Sequence, residues 1–234
     1  AQLEGLRVPN RAQMNDQGRR MVNDWAIWDD FKLVQPNPDG FTIHKRTNPK
    51  STWLFSAAGK RSSGLAFVGD VSGGLGVSVK NFWQSYPAEL HVQNASSPAA
   101  QLTAWIWSPE APPMDMRHYS TRAHGLEASY EDVQPGNSTP FGIARTSEFT
   151  LWPTGGVPAK ADCAKMAKTG AVPPMLACSP QYYHDVRAFG IWSVRDTSTP
   201  FKAAIESGLD AVLDLYVGQV DERYWYGFWN YGDV

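Results

Sequence analysis

Between about Lys32 and Trp152, apolar and polar positions alternate with a period of two in short runs separated by turn residues, the pattern of half-buried strands. Phe41-Thr42-Ile43-His44-Lys45-Arg46, Thr52–Phe55, Leu65–Val68, Leu75–Val79, Glu89–Val92 and Gln101–Trp107 read as strands. Asn37-Pro38-Asp39-Gly40 is a turn, since Pro presets one dihedral and Gly accepts a positive one, and Gly73-Gly74 suits a hairpin. No long helical periodicity interrupts these runs, so they predict antiparallel sheets packed as a sandwich. The period changes near Thr154-Gly155-Gly156-Val157-Pro158. Beyond it, Lys160–Lys168 is a short amphipathic helix. Pro200 opens a longer one to about Arg223, with Ile205, Leu209, Val212, Leu213, Tyr216 and Val220 at helical spacing. The expected class is α+β, with a β-sandwich over 1–156 and a helical part over 157–234. There is no internal repeat.

Composition narrows the partners. The 234 residues are 42% hydrophobic, enough for a sizeable core. No apolar run approaches the roughly 20 residues of a membrane-spanning helix, and a net charge of -2 with interspersed signs argues against nucleic acid. Ala1 is neither an initiating Met nor the start of a signal peptide, so a processed or excised chain is expected. Ten Trp, nine Tyr and ten Phe are unusually many, and several lie beside Gly, Pro or polar residues. Rings with an apolar body and a polar tip suit sugar faces. Cys163 and Cys178 bracket a segment that could fold back into a local disulfide, the alternative being two buried thiols. Asn94-Ala95-Ser96 and Asn137-Ser138-Thr139 fit the glycosylation pattern. Together these favour a secreted, extracellular protein.

Chemistry concentrates in two segments. Trp105 to Tyr119 runs from an apolar strand into Pro109, Pro112 and Pro113, which stiffen a connection presenting Asp115, Arg117, His118 and Tyr119. Arg grips a carboxylate through two parallel bonds, His moves protons near neutrality, and Tyr donates to a leaving oxygen. The structural alternative is an Asp115–Arg117 pair that pins the turn. Arg223 to Asp233 alternates aromatic residues with small and polar ones, and Trp225, Tyr226, Trp229, Tyr231 and Asp233 read as a sugar platform, against the alternative of a buried corner. Lys80-Asn81-Phe82-Trp83-Gln84 flanks two rings with polar groups, making Lys80 and Trp83 further binding residues. Gly69 to Leu75 lacks the dinucleotide spacing, and neither Ser72 nor Ser108 sits in a nucleophile elbow. His44, His91, His124 and His184 show no metal-ligand spacing. No cofactor is required by the residues, and nothing supports a calcium site.

Gly64–Asp70 with Gly73-Gly74, Lys80–Gln84, Trp107–Tyr119, Gly142–Thr146, Phe189–Ser193 and Trp225–Val234 together resemble the exo-acting rhamnogalacturonan lyases, over most of the chain. The resemblance implies an N-terminal barrel-like domain, a central β-sandwich and a C-terminal α/α toroid. This chain would supply part of the sandwich and the first helices of the toroid, as a fragment whose bare toroid face seeks its missing partner. The implied reaction is β-elimination at a 4-linked galacturonate of rhamnogalacturonan I, an acidic plant cell-wall polysaccharide. Such chemistry needs the carboxylate neutralised, a base facing the C5 proton and a donor to the departing oxygen. Arg117, His118 and Tyr119 suit those roles by residue chemistry, with Trp225, Tyr226 and Trp229 stacking sugar rings. A glycoside hydrolase using two of Glu110, Asp115 and Asp233, or a non-catalytic carbohydrate-binding sandwich, are the alternatives.

Overall fold

A computed structural model describes residues 2–3, 6–7, 27–111 and 144–227. Its strands are β1 (Gln2–Leu3), β2 (Leu6–Arg7), β3 (Asp30–Asn37), β4 (Gly40–Arg46), β5 (Leu54–Gly59), β6 (Leu65–Asp70), β7 (Gly73–Val79), β8 (Ala88–Gln93), β9 (Gln101–Trp105) and β10 (Phe149–Thr154). They form two sheets, ordered β10-β7-β6-β1-β2 and β5-β4-β3-β8-β9, and the ladders are antiparallel. The sandwich predicted from alternation is therefore present. Four strands, β1, β2, β3 and β10, lie outside the runs read as strands. β3 has almost every position buried, and β10 contains Pro153.

Alternation explains the core. Phe31, Leu33, Ile43, Leu90 and Val92 point from the second sheet toward Ala66 of the first, and Phe82 from the turn after β7 joins them. Each large side chain so buried contributes roughly 1.5–3 kcal/mol. The first sheet's other face is covered by α1 (Lys160–Ala171), where Cys163 and Ala167 pack on Leu65, Trp152 and Met166. Gly170 lies so close over Ser78 that a side chain would not fit. Ser78 is itself tied to this seam, its hydroxyl accepting from Trp152 Nε1 at 2.7 Å. Cys163 is buried in the α1 seam, whereas Cys178 stands exposed as a free thiol beyond Met175 and Leu176, which are also exposed. The expected cross-link between them is thus not formed, because the chain leaves the sandwich after α1.

After α2 (Pro180–Asp185), the long α3 (Pro200–Glu222) begins as the sequence indicates, with Pro200 in the first turn and Thr199 Oγ1 accepting from Lys202 N at 3.2 Å. Its apolar positions Ile205, Leu209, Val212, Leu213 and Tyr216 are exposed. Among the described residues, no helix is long and apolar enough to cross a membrane.

The second sheet's outer face carries a charged layer. Lys32, Glu89 and His91 alternate with the core residues of β3 and β8, and Lys32 lies across from His44 and His91. Lys32 pairs with Glu110 beneath Trp53, and Ser108 Oγ donates to Glu89 Oε2 at 2.8 Å. His44 Nδ1 and His91 Nε2 are buried and have no hydrogen-bond partner among the described residues. Burial holds both imidazoles below their ordinary pKa. The charge of Lys32 acts in the same direction on both, and Glu110 opposes it. Asp30 raises and Arg46 lowers His91 further.

The sign of the pH dependence follows. Above about pH 6.5 both imidazoles are neutral folded or unfolded, but below it the unfolded chain takes up protons that the folded protein refuses, so stability falls as the solution is acidified. Glu89, whose carboxyl burial pushes upward, acts oppositely by binding a proton more readily when folded. We expect the urea midpoint to drop from pH 7.5 to pH 5.5, and a His44→Gln/His91→Gln variant to flatten that slope. A midpoint that holds or rises in the native protein would contradict this balance.

Candidate functional site

At one end of the sandwich, the turn after β7, the segment leading into β6 and the C-terminal end of α3 enclose an open cleft. Its volume is about 540 Å³, and Arg61, Asn81, Trp83, Gln84, Arg145, Asp221, Trp225 and Tyr226 are among its lining residues. Local physics builds each wall. In the turn Lys80–Ser85, Ser85 N donates to Asn81 O at 2.8 Å, and Phe82 is driven into the core at 2% exposure. Trp83 and Gln84 are thereby left at the rim. Asn81 has a φ of 54°, a conformation that Asn tolerates better than most side chains.

Arg61 is positioned by a residue it does not touch in sequence. The Gln35 carboxamide, fully buried, donates to the carbonyls of Asn37 (2.6 Å), Gly40 (3.1 Å) and Lys60 (3.0 Å), and its oxygen accepts from Ser62 N at 3.0 Å. This clamp fixes the chain on both sides of Arg61 and sets it beside the β3–β4 turn. The guanidinium lies over the Trp83 ring at 4.0 Å and 5.6 Å from the Tyr226 ring centre. Asp39 of the turn and Asp221 of α3 stand 3.8 and 3.6 Å from it.

The third wall is the helix terminus. Trp225 N donates to Val220 O at 2.9 Å, a six-to-one closure of the last turn, and this requires Tyr224 in the left-handed region with φ 55°. Glycine usually takes that position. A tyrosine there stores local strain of the kind found near sites. The nearby Asp39 carboxylate is the main reason its pKa is raised. Tyr226 meets Trp83 edge-on with ring centres 4.7 Å apart, and its hydroxyl donates to Asp221. Burial and that bond together raise the Tyr226 pKa. Gly227 N donates to Gln84 O at 2.6 Å, joining the two aromatic segments backbone to backbone.

At Gly227 the φ is +98°, and an added Cβ would lie 2.8 Å from the Tyr86 ring. Gly227→Ala is expected to cost about 1–3 kcal/mol through backbone strain and displacement of this wall. Thermal unfolding measures it, and an unchanged midpoint would show the junction to be slack.

The cleft brings together Trp83, Trp225 and Tyr226 from the sugar-binding segments proposed on sequence grounds. Lys80 instead pairs with Glu148 at 2.6 Å and lines a smaller neighbouring slot with Phe82, Ile106 and Phe149. Asp115, Arg117, His118, Tyr119, Trp229, Tyr231, Asp233 and Asn137 lie outside the described residues. Asn94 starts a turn with φ 53°, and the Ser96 hydroxyl of its triplet donates to Asp29 at 2.7 Å. Sequence reasoning does not single out Arg61, Arg145 or Asp221 as binding residues, although Arg145 lies within the Gly142–Thr146 run that carries the resemblance. Among the described residues no group of His, Cys, Asp and Glu could hold a metal ion. Chemically, the cleft can stack a ring-shaped polar ligand and attract negative charge.

Residues 1–168 match the family described as PcRGLX-like protein central beta sandwich domain, and residues 173–234 match PcRGLX-like protein C-terminal alpha/alpha toroid domain. The chain is also similar to "Uncharacterized protein YetA" of Bacillus subtilis (strain 168), with 36% identity over 209 residues, 89% of this chain and 24% of that protein. It therefore spans about a quarter of that relative's length.

Proposed function

The chain belongs to the PcRGLX-like, rhamnogalacturonan lyase-like family through both its sandwich and its helical part, and from this premise we propose that it forms the substrate cleft of an exo-acting polysaccharide lyase. The substrate is rhamnogalacturonan I, cleaved by β-elimination at a 4-linked galacturonate. The observation that carries this reading is the cleft itself, where three aromatic side chains and two guanidinium groups converge from the sandwich and the end of α3. Aromatic faces pack on the C–H groups of sugar rings, and the cations favour a uronate over a neutral sugar.

Elimination makes the proton at C5 the chemical problem. It becomes acidic only when the neighbouring carboxylate is neutralised, and it then needs a base on its own face and a donor at the leaving oxygen. Arg117, His118 and Tyr119 are the proposed carboxylate, proton-transfer and donor groups, with Asp115 beside them. Trp225, Tyr226 and Trp229 are the proposed stacking residues. This reading implies an enzyme working outside the cell on plant wall material.

The test incubates the protein with rhamnogalacturonan. Elimination leaves an unsaturated uronate, so ultraviolet absorbance should rise together with new reducing ends. Reducing ends without absorbance would replace the lyase by a hydrolase. Neither signal would leave a carbohydrate-binding role.

A further inference from the structure

Arg61 differs from the other cations of this end of the molecule in what surrounds it. Lys80 is engaged by Glu148 at 2.6 Å, and Arg145 donates to the Ser85 hydroxyl. Arg61 is flattened on Trp83 at 4.0 Å, with side-chain exposure of 36%, and its two carboxylate neighbours lie at 3.6 and 3.8 Å. Those separations allow electrostatic attraction but exceed hydrogen-bond length. A guanidinium carries five donors in a rigid fork, and a carboxylate that docks on it properly makes two parallel bonds. Asp39 and Asp221 do neither. They come from different elements, the β3–β4 turn and α3, and Asp221 is also tied to Tyr226.

Resting on the lyase reading above, we propose that Arg61 is the group by which the cleft recognises a uronate carboxylate, with Asp39 and Asp221 keeping its place until a ligand arrives. The ring beneath supports the same ligand. Trp83 orients the guanidinium plane while Tyr226 and Trp225 border the adjoining space, so a sugar carrying its acid on one edge meets fork and ring together. Gln35 makes the arrangement rigid by holding Lys60 and Ser62 from below. The resident carboxylates compete with the ligand's own. Removing the Asp221 charge should therefore strengthen binding of an acid.

The experiment titrates the full chain by calorimetry with a galacturonate-containing disaccharide and with the same disaccharide carrying a methyl-esterified carboxyl. The native protein should bind the acid at least about tenfold more tightly than the ester. Arg61→Gln should bring the acid down to the affinity of the ester, and Asp221→Asn should tighten the acid several-fold. Arg61→Lys keeps the charge but loses the fork and the stacking, so it should fall between. It also decides the matter if the Gln variant does not fold. An acid preference that survives in Arg61→Gln, or equal binding of acid and ester by the native protein, would overturn the role of Arg61 while leaving the saccharide cleft standing. Binding of neither form would overturn the cleft reading and this inference together.

Discussion

Arg117→Ala and His118→Ala are each expected to slow formation of the ultraviolet-absorbing product by about 10²–10⁴-fold in the full-length protein, the usual scale for removing a proton-transfer group or a charge-stabilising donor. The two losses differ in kind. Without Arg117 the galacturonate carboxylate keeps its charge, which opposes carbanion formation at the adjacent carbon, and a methyl-esterified substrate, carrying no such charge, should recover part of the rate. Without His118 binding should persist while turnover fails, so KM stays near its native value and kcat falls. The described residues flanking this segment make the assignment testable. Just before it, Ser108 and Glu110 are anchored to Glu89 and Lys32, and just after it Arg145 lines the cleft wall. Native rates in both variants would remove these residues from the chemistry and shift attention to groups already in the cleft.

Strands β4 and β6 to β9 are legible in the sequence as short apolar-rich runs between turn residues, β5 only in part because it spans Leu54–Gly59 rather than the expected Thr52–Phe55, and α3 is legible from Pro200 and its spaced apolar positions. β3 is not, since Asp30, Lys32 and Gln35 sit fully or nearly buried among its apolar neighbours. Polar residues normally mark solvent. Here their burial is sustained by Arg46, Glu110 and backbone carbonyls that only the fold supplies. The same limit applies to the cleft. Trp83 and Tyr226 announce themselves by composition, but their meeting depends on a left-handed tyrosine and a backbone bond between residues far apart in sequence. Arg61 gives no signal at all, because the turn that presents it is held by Gln35 across the sheet. Pattern reveals which residues pack. It does not reveal which loops converge.

Asp30→Ala should cost about 3–5 kcal/mol of stability, the range for breaking a buried ion pair from one side. Asp30 is 0% exposed, its Oδ2 accepts from Arg46 Nε at 2.7 Å, and its Oδ1 accepts from Asn94 N at 3.1 Å. Truncation would strand a guanidinium whose side chain is only 15% exposed and leave an N–H without its acceptor. Arg46 would retain Pro49 O at 3.0 Å and the Trp53 ring at 4.3 Å, neither of which neutralises charge. The loss should also be partly reversible by chemistry rather than by restoring the pair. In Asp30→Val/Arg46→Met neither charge of this pair remains, the stems still fill the space beside Trp53, and much of the stability should return. Urea unfolding of the native chain, the single variant and the double variant would separate these cases. A single-variant loss below about 1 kcal/mol would show that water reaches Arg46, and a double variant no better than the single one would show that the Asn94 turn, not the charge, depends on Asp30.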